Sequence, residues 1–292
     1  MAKIFDLRLN ELLSEYNSFR VGGRTQRLFL PANINNLSEF LSNPQLNNTS
    51  LYWIGLGSNL LVGDNIYPGT IIITRGLSQI SLLPQENCVR IEAGVACGTA
   101  ARFCARLGLT GIEFLAGVPG TMGGALAMNA GAHGSETWQF VTHCETINHH
   151  GKISYRSARE FQPSYRQVIG LELEKEWFVA AHLRLIPGEK ENSLAKIKQF
   201  LEHRSQTQPI NLPNCGSVFR NPPGNYAAKL IESCHLKNFS IGGARVSEKH
   251  ANFIITDKSA TASDIKNLIL HIQNTVKSVH GIELIREVKI LE

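Results

Sequence analysis

Between Glu113 and Glu136 the chain reads EFLAGVPGTMGGALAMNAGAHGSE, with six glycines, five alanines and no charge between the two glutamates. Average usage would place about one or two glycines in such a window. So many positions without a side chain mean that backbone approaches something closely or repeatedly takes positive φ. Main-chain N–H groups bared in this way hold phosphate oxygens well. The same composition also serves as a small-residue seam where helices pack tightly on a sheet. The window alone leaves both readings open.

The rest of the composition bounds the answer. With 292 residues, 43% hydrophobic and 18% charged, the chain can bury a core and has room for two or three domains. No internal repeat, low-complexity segment or long charge run is present. The N-terminal MAKIFDLRLNELLSEYNSFR mixes charges and lacks an apolar h-region, and no stretch has the roughly 18 apolar residues of a membrane helix. The expectation is a soluble, cytoplasmic protein with no membrane contact. A net charge of +5 suits an anionic small molecule, and basic residues are not clustered as a nucleic-acid footprint requires. Cys88, Cys97, Cys104, Cys144, Cys215 and Cys234 form neither a C-x-x-C pair nor a metal-spaced group, so free, mostly buried thiols and no metal are expected. His149-His150 before Gly151 reads as a hairpin turn.

Periodicity suggests alternating helices and strands. Leu37–Leu41 reads as helix, and Leu51–Ile54 and Thr70–Thr74 as buried strands, with the donor-rich turn Gly55-Leu56-Gly57-Ser58-Asn59-Leu60-Leu61-Val62 between them. Val89–Ala93 alternates as a strand, and Ala100, Phe103, Cys104 and Leu107 form one apolar helix face stopped by Gly108. Further strands are expected at Val141–Ile147, Lys152–Tyr155 and Trp177–Leu185, the last with Trp177, Val179, Ala181, Leu183 and Leu185 on one face. Pro187-Gly188 and the polar Glu189–Asn192 read as a linker. Beyond it, a helix from Thr261 to His280 carries a stripe of Ile265, Leu268, Ile269, Ile272 and Val276, with Gly281 as its stop; a strand from Ile282 to Leu291 closes the chain. Two donor-rich loops before the linker and a polar loop after it suggest a cofactor domain followed by a substrate domain. Neither loop is a Rossmann fingerprint: Gly120-Thr121-Met122-Gly123-Gly124 does not give G-x-G-x-x-G, Gly55-x-Gly57 lacks a third glycine, and no Walker lysine is present.

Four segments together resemble one flavoenzyme family: Asn17-Ser18-Phe19-Arg20-Val21-Gly22-Gly23, Gly57-Ser58-Asn59-Leu60-Leu61-Val62, Gly117–Ala125 with Asn129-Ala130-Gly131-Ala132, and Gly216-Ser217-Val218-Phe219-Arg220-Asn221-Pro222. In order and spacing they are similar to the UDP-N-acetylenolpyruvoylglucosamine reductases, as are His250–Ile255 and Arg286-Glu287-Val288. The stretch after Tyr165-Arg166 lacks the tyrosine-bearing insertion of one subgroup, so the chain resembles the shorter second type. Departures are Ser18 for the usual Thr, Val168 for Ser, and Ala227-Ala228 for Ala-Gly.

The resemblance implies an α+β fold: an FAD-binding fold of the vanillyl-alcohol-oxidase kind in two subdomains (1–72 and 73–188), then a substrate domain (189–292). It implies non-covalent FAD at Gly57, Ser58, Asn59, Leu60, Gly117, Pro119, Gly120, Gly123, Gly124, Asn129 and Gly131, with NADPH as hydride donor. The product would be UDP-N-acetylmuramate, for bacterial cell-wall peptidoglycan, and no obligate protein partner is implied.

Reducing an enol ether conjugated to a carboxylate requires hydride at the terminal carbon and a proton at its neighbour; hydride addition pushes charge onto the carboxylate as a dianionic enediolate. By the resemblance, Arg166 grips that carboxylate, Glu287 helps hold the enediolate as a neutral donor, and Ser217 delivers the proton. Tyr165, Asn221 and Lys289 would contact the sugar nucleotide; for Arg220 two readings stand equally, charge near the diphosphate and a surface role. Read without the family, Arg166 is a surface arginine after a turn, Ser217 a turn serine, and Glu287 the solvated side of a strand. Two rival readings remain: an FAD oxidase of the same superfamily, which has no reason to carry Ser217 and Glu287 together, and a flavin-binding module without a working substrate domain.

Overall fold

The computed structural model describes residues 6–44, 49–84, 87–171 and 175–292. Their helices are α1 (Ile34–Leu41), α2 (Cys97–Arg106), α3 (Met122–Ala127), α4 (Lys190–Thr207), α5 (Ala227–Ser233) and α6 (Ala262–His280). The chain divides into two compact units. Unit 1 comprises 1–9, 27–55 and 69–202; unit 2 comprises 10–26, 56–68 and 203–292.

Unit 1 is built on a five-stranded antiparallel sheet in the order Ile153–Ser157, Val141–Asn148, Glu176–Arg184, Cys88–Glu92, Ile80–Leu82. Its main core joins Val89, Ile91, Ala181 and Leu183 to Ala100, Cys104, Leu115, Met122 and Leu126 from α2, α3 and the turn between them. A smaller core gathers Ile34, Leu37, Phe40 and Leu41 of α1 with Phe29, Ile72, Ile147 and Val179. Leu51–Ile54 and Tyr67–Ile73 are paired in parallel, in register Leu51 with Thr70. His149-His150 is the turn of the hairpin that joins Val141–Asn148 to Ile153–Ser157, as expected.

Three local expectations for unit 1 need correction. The strand Glu176–Arg184 does not present one apolar face: Phe178, Ala181 and Leu183 enter the main core, while Val179 enters the smaller one. A register shift explains this, since Glu145 opposes Ala180 and Thr146 opposes Phe178, leaving Val179 as an extra residue. Such a bulge reverses the alternation beyond it, and the strand, central in its sheet, is buried on both sides. On α2, Leu107 is 46% exposed, because the buried face is Cys97, Ala100, Ala101, Cys104 and Ala105, and Leu107 already lies in the cap. The supposed linker at Glu189–Asn192 runs into the first turn of α4, where buried Ser193 donates a hydrogen bond to Glu113 (2.9 Å). So polar a helix shows little apolar stripe to read.

The face of the five-stranded sheet opposite the main core carries a partly buried charged cluster. Arg90 donates to Glu145 through Nε (2.6 Å) and Nη2 (2.7 Å), and His182 Nε2 lies 2.7 Å from Glu145 Oε1. Burial raises the Glu145 pKa, but the Arg90 and His182 hydrogen bonds and charges outweigh it and bring it from 4.5 to about 2. A carboxylate depressed in the folded state stabilises fully above its unfolded pKa, near 4.5, and loses that contribution as pH falls through about 2. Glu145→Gln is therefore expected to cost about 2–3 kcal/mol at pH 7, with the difference from wild type closing between pH 4.5 and 2. Urea unfolding of both proteins across that range measures it; a pH-independent difference would mean the carboxylate charge contributes nothing.

Unit 2 packs α5 and α6 against a three-stranded antiparallel sheet, Ser240–Ile241, Ala244–Val246 and Ile254–Thr256. The α6 stripe of Ile265, Leu268, Ile269, Ile272 and Val276 is buried as its period required. Thr261 and Asp264 form a capping box, and Gly281 closes the helix at φ +69°. Asp64 accepts from the Ala262 and Ser263 N–H groups (2.8 and 3.0 Å), binding the start of α6 to residues 56–68. The last strand is shorter than expected, only Lys289–Leu291, paired in parallel with Leu60–Val62. The segment before it keeps its alternation, with Leu284 and Val288 in the core, Ile282 and Ile290 against it, and Ile285 63% exposed. Among the described residues, no helix is long and apolar enough to cross a membrane.

Candidate active site

In unit 1 the glycine-rich window forms a 3-10 turn at Glu113–Gly117, then α3, then a short hairpin in which Gly131 opposes Glu136. Its glycines fall into two settings, at different positions. A Cβ on Gly123 would lie 2.9 Å from the Ala93 Cβ, and one on Gly131 would lie 2.8 Å from the Ser135 carbonyl. Those two glycines let the chain pack on itself. A Cβ on Gly117 would meet nothing within 4 Å, and one on Gly124, which is exposed, only the Thr121 hydroxyl at 4.0 Å. There the bare backbone faces open space, as a ligand-holding loop requires.

Glu113 anchors the start of the window. Burial raises its pKa, yet hydrogen bonds from the Thr110 hydroxyl, from its own and the Gly111 N–H groups, and from Ser193 hold it below the usual range. Asn129 is buried, with φ +39°, and bridges outward from the window. Its Nδ2 donates to Glu136 (2.8 Å) and to the Ser164 carbonyl (3.3 Å), and its Oδ1 accepts from the Trp138 N–H (3.2 Å). Ser164 ends the first strand of the hairpin Gln162–Ser164/Gln167–Ile169, whose turn is Tyr165-Arg166. Arg166 is half-buried at φ +57°, with its guanidinium 5.2 Å from the centre of the Tyr165 ring. A left-handed non-glycine residue costs about 1 kcal/mol or more, so the turn holds this arginine against a local preference. Unit 1 thus joins the glycine window to Arg166 and Tyr165 through Asn129. Val168, one of the departures, packs against the main core.

In unit 2, Gly57 takes φ +63°, and a Cβ there would lie 2.3 Å from the Tyr16 carbonyl; Ser18 N–H donates to the Gly57 carbonyl (3.1 Å). Asn59 faces the C-terminal segment. Its Nδ2 donates to the Glu287 carbonyl (3.2 Å), its carbonyl accepts from the Lys289 N–H (3.1 Å), and Leu60 then pairs with Lys289. The Val218 carbonyl accepts from the Glu287 N–H (2.8 Å), and Arg220 N–H donates to Ile285 (2.9 Å). Ser217, Glu287 and the Gly57–Leu60 loop are therefore brought together. Gly216 precedes Ser217 at φ +77°, where a Cβ would meet nothing within 4 Å, and Ser217 and Glu287 are both half-buried. Cys215 is buried among apolar residues, and burial pushes its thiol far above the usual range. A buried thiol held in its protonated form is a poor nucleophile. Asn221 is exposed and accepts from the Ala227 N–H at α5 (3.0 Å); Lys289 is exposed.

Among the described residues, two buried polar atoms in unit 2 lack a hydrogen-bond partner: Asn17 Oδ1, beside Gly57, and Arg220 Nε, three residues after Ser217. Asn17 Nδ2 is already bonded to the Leu13 and Val21 carbonyls (2.7 and 2.8 Å), so the oxygen remains as an acceptor. An acceptor, a cationic donor and open glycine backbone fit a polar, phosphate-bearing cofactor and an anionic substrate. The residue that the motif reading left without a role is Asn252, which grips the backbone around Phe219. Only its place in His250–Ile255 drew notice to it.

Comparison with known proteins agrees with these features. Residues 25–154 match the family model of an FAD binding domain, which defines the chain as a flavin-dependent oxidoreductase. Residues 208–291 match the C-terminal domain model of UDP-N-acetylenolpyruvoylglucosamine reductase. A curated reductase of that name from Legionella pneumophila (strain Corby) is 55% identical over 286 residues, 98% of this chain and 92% of the relative. One from Alkalilimnicola ehrlichii is 48% identical, over 98% of this chain and 95% of the relative. The chain belongs to the UDP-N-acetylenolpyruvoylglucosamine reductase family. The crystal structure of the Thermus caldophilus reductase superposes with a TM-score of 0.84 at 27% identity, covering 99% of this chain and 100% of that one. The α+β, FAD-binding fold expected from the sequence is thus the one found.

The two kinds of glycine give an expected result. Gly124→Val should fold and lose bound flavin, because its side chain enters only the open space. Gly123→Val should lose stability first, since it overlaps Ala93. Flavin absorbance and melting temperature of the two purified variants separate these effects; full flavin occupancy in Gly124→Val would remove that backbone from the cofactor loop.

Proposed function

We propose that the chain catalyses the NADPH-driven, FAD-dependent reduction of UDP-N-acetylenolpyruvoylglucosamine to UDP-N-acetylmuramate, a cytoplasmic step of peptidoglycan precursor synthesis. The observation that carries this reading is the junction of Ser217, Glu287 and the Gly57–Leu60 loop, with Glu287 N–H on the Val218 carbonyl and Asn59 Nδ2 on the Glu287 carbonyl. These bonds set the backbone of Ser217 and of Glu287 close to one another and to a glycine loop, and a hydroxyl and a carboxyl are the groups that protonation of an enediolate needs. In this reading residues 1–72 and 73–188 form the flavin-binding subdomains and 189–292 the substrate domain. FAD, held without a covalent bond, supplies the hydride that NADPH delivers to it.

The protein's contribution is to bind, orient and move one proton. Backbone of Gly57, Ser58, Asn59 and Leu60, and of Gly117, Pro119, Gly120 and Gly124, holds the cofactor, while Gly123, Gly131 and Asn129 shape the loop behind it. Arg166 grips the substrate carboxylate with its planar fork and keeps its charge when desolvated. Glu287, protonated, donates to the same developing charge, for which one oriented donor is worth about 3 kcal/mol. Ser217 gives its hydroxyl proton to the carbon beside the carboxylate; a free hydroxyl is a weak acid, but an enediolate is a strong base. Tyr165, Asn221, Lys289 and the unpartnered Arg220 Nε hydrogen-bond the sugar nucleotide.

The test is a titration of the flavin in the purified protein. NADPH should bleach the bound cofactor without oxygen, and the enolpyruvyl sugar nucleotide should restore its colour in equimolar amount. Restoration by dioxygen or a simple alcohol's aldehyde, with none from the sugar nucleotide, would favour an oxidase. Bleaching with no acceptor among these would leave a flavin-binding module.

A further inference from the structure

Asn252 lies in the turn between the strands Ala244–Val246 and Ile254–Thr256, and it is 4% exposed. A buried amide is costly unless both its ends are hydrogen-bonded. Here both ends meet one residue: Oδ1 accepts from the Phe219 N–H (3.0 Å) and Nδ2 donates to the Phe219 carbonyl (2.8 Å). The side chain thereby pairs with main chain as a neighbouring strand would. The Asn252 carbonyl adds a third bond, accepting from the Val218 N–H (2.9 Å). On the other side of the same segment, the Val218 carbonyl accepts from Glu287 (2.8 Å) and Val288 (3.3 Å). Every backbone polar group of Val218 and Phe219 is thus fixed, one flank by Asn252 and the other by the Glu287 segment. Their side chains are 1% exposed and locked in the apolar core.

We infer that Asn252 is a positioning residue for the reaction: its amide clamps the Val218-Phe219 backbone and so sets the Ser217 hydroxyl relative to Glu287. The inference rests on the reading of Ser217 as proton donor. Gly216, at φ +77° and with open space around it, does not hold Ser217 from the other side except through its own N–H, which donates to Asn214 (2.9 Å). The clamp therefore carries most of the aim of this serine. Asp at this position would keep an acceptor for the Phe219 N–H but set a carboxylate oxygen against the Phe219 carbonyl. Ala would remove both bonds.

The experiment uses the full-length flavoprotein and follows its two half-reactions by stopped-flow. In Asn252→Ala, flavin reduction by NADPH should stay within about twofold of wild type, while reoxidation by the enolpyruvyl sugar nucleotide should slow about 10- to 100-fold, the usual consequence of misplacing a reacting group by about 1 Å. Added to Ser217→Ala, the change should cost less than about twofold more, because the aim of an absent hydroxyl no longer matters. If Asn252→Ala fails to hold flavin, Asn252→Asp, of the same size, serves in both backgrounds. Equal slowing of the two half-reactions, or a loss that multiplies that of Ser217→Ala, would overturn the positioning role and leave the reading of Ser217 intact. Full activity in Ser217→Ala alone would overturn both.

Discussion

Ser217→Ala is expected to leave reduction of the flavin by NADPH almost untouched and to slow its reoxidation by the enolpyruvyl sugar nucleotide by at least about 10³-fold. The separation follows from chemistry. No proton leaves Ser217 in the first half-reaction, whereas the second ends on a carbanion that must be protonated. Structure supports a specific loss, because the serine is half-buried while Cys215, Val218 and Phe219 around it form the core. Removing one hydroxyl leaves that packing intact. Ser217→Cys should recover part of the rate, since a thiol of similar size also donates a proton. Stopped-flow absorbance of the two halves is the measurement. Equal slowing of both would make Ser217 a residue that orients the flavin.

Much of the molecule was legible because single residues carried independent signals. For α6, a five-residue apolar stripe and a stopping glycine agreed. At 282–291 the apolar alternation identified the buried face correctly although only Lys289–Leu291 is strand; the core selects the side chains whether or not a neighbour supplies the ladder. The bulge at Val179 left no trace in composition, since one extra residue among Phe178, Val179, Ala180 and Ala181 changes the face and not the hydrophobicity. In α4, Ser193 and Ile197 are the buried residues, so hydrophobic period could not show an 18-residue helix.

The site divides in the same way. The glycine window announced close approach, but which glycines serve packing and which face open space depends on Ala93 and Ser135, far apart in sequence from Gly123 or set by a turn beside Gly131. The roles proposed for Arg166, Ser217 and Glu287 rest on the family resemblance alone, because an arginine at a turn or a serine after glycine is common. Asn252 had no periodic or compositional mark. Its importance lies in a pairing with Phe219, 33 positions away.

Glu287 bears the second large effect. Its backbone is fixed by the Val218 carbonyl and by Asn59, so a change of side chain should not move the segment. If the carboxyl acts protonated, as a neutral donor to the developing enediolate, Glu287→Gln keeps a donor of the same reach and should slow the sugar-nucleotide half-reaction only about 10- to 100-fold. Glu287→Ala removes the donor and should cost about 10³-fold, with substrate affinity changed much less than rate, the mark of an interaction made mainly in the transition state. An ionised Glu287 would predict the reverse, because a negative charge beside a dianion opposes its formation and its neutralisation should then help. Single-turnover rates and substrate dissociation constants for the two variants decide the matter. A glutamine variant no better than alanine would exclude the neutral-donor role. Affinity losses equal to the rate losses would make Glu287 a group that binds substrate and transition state alike.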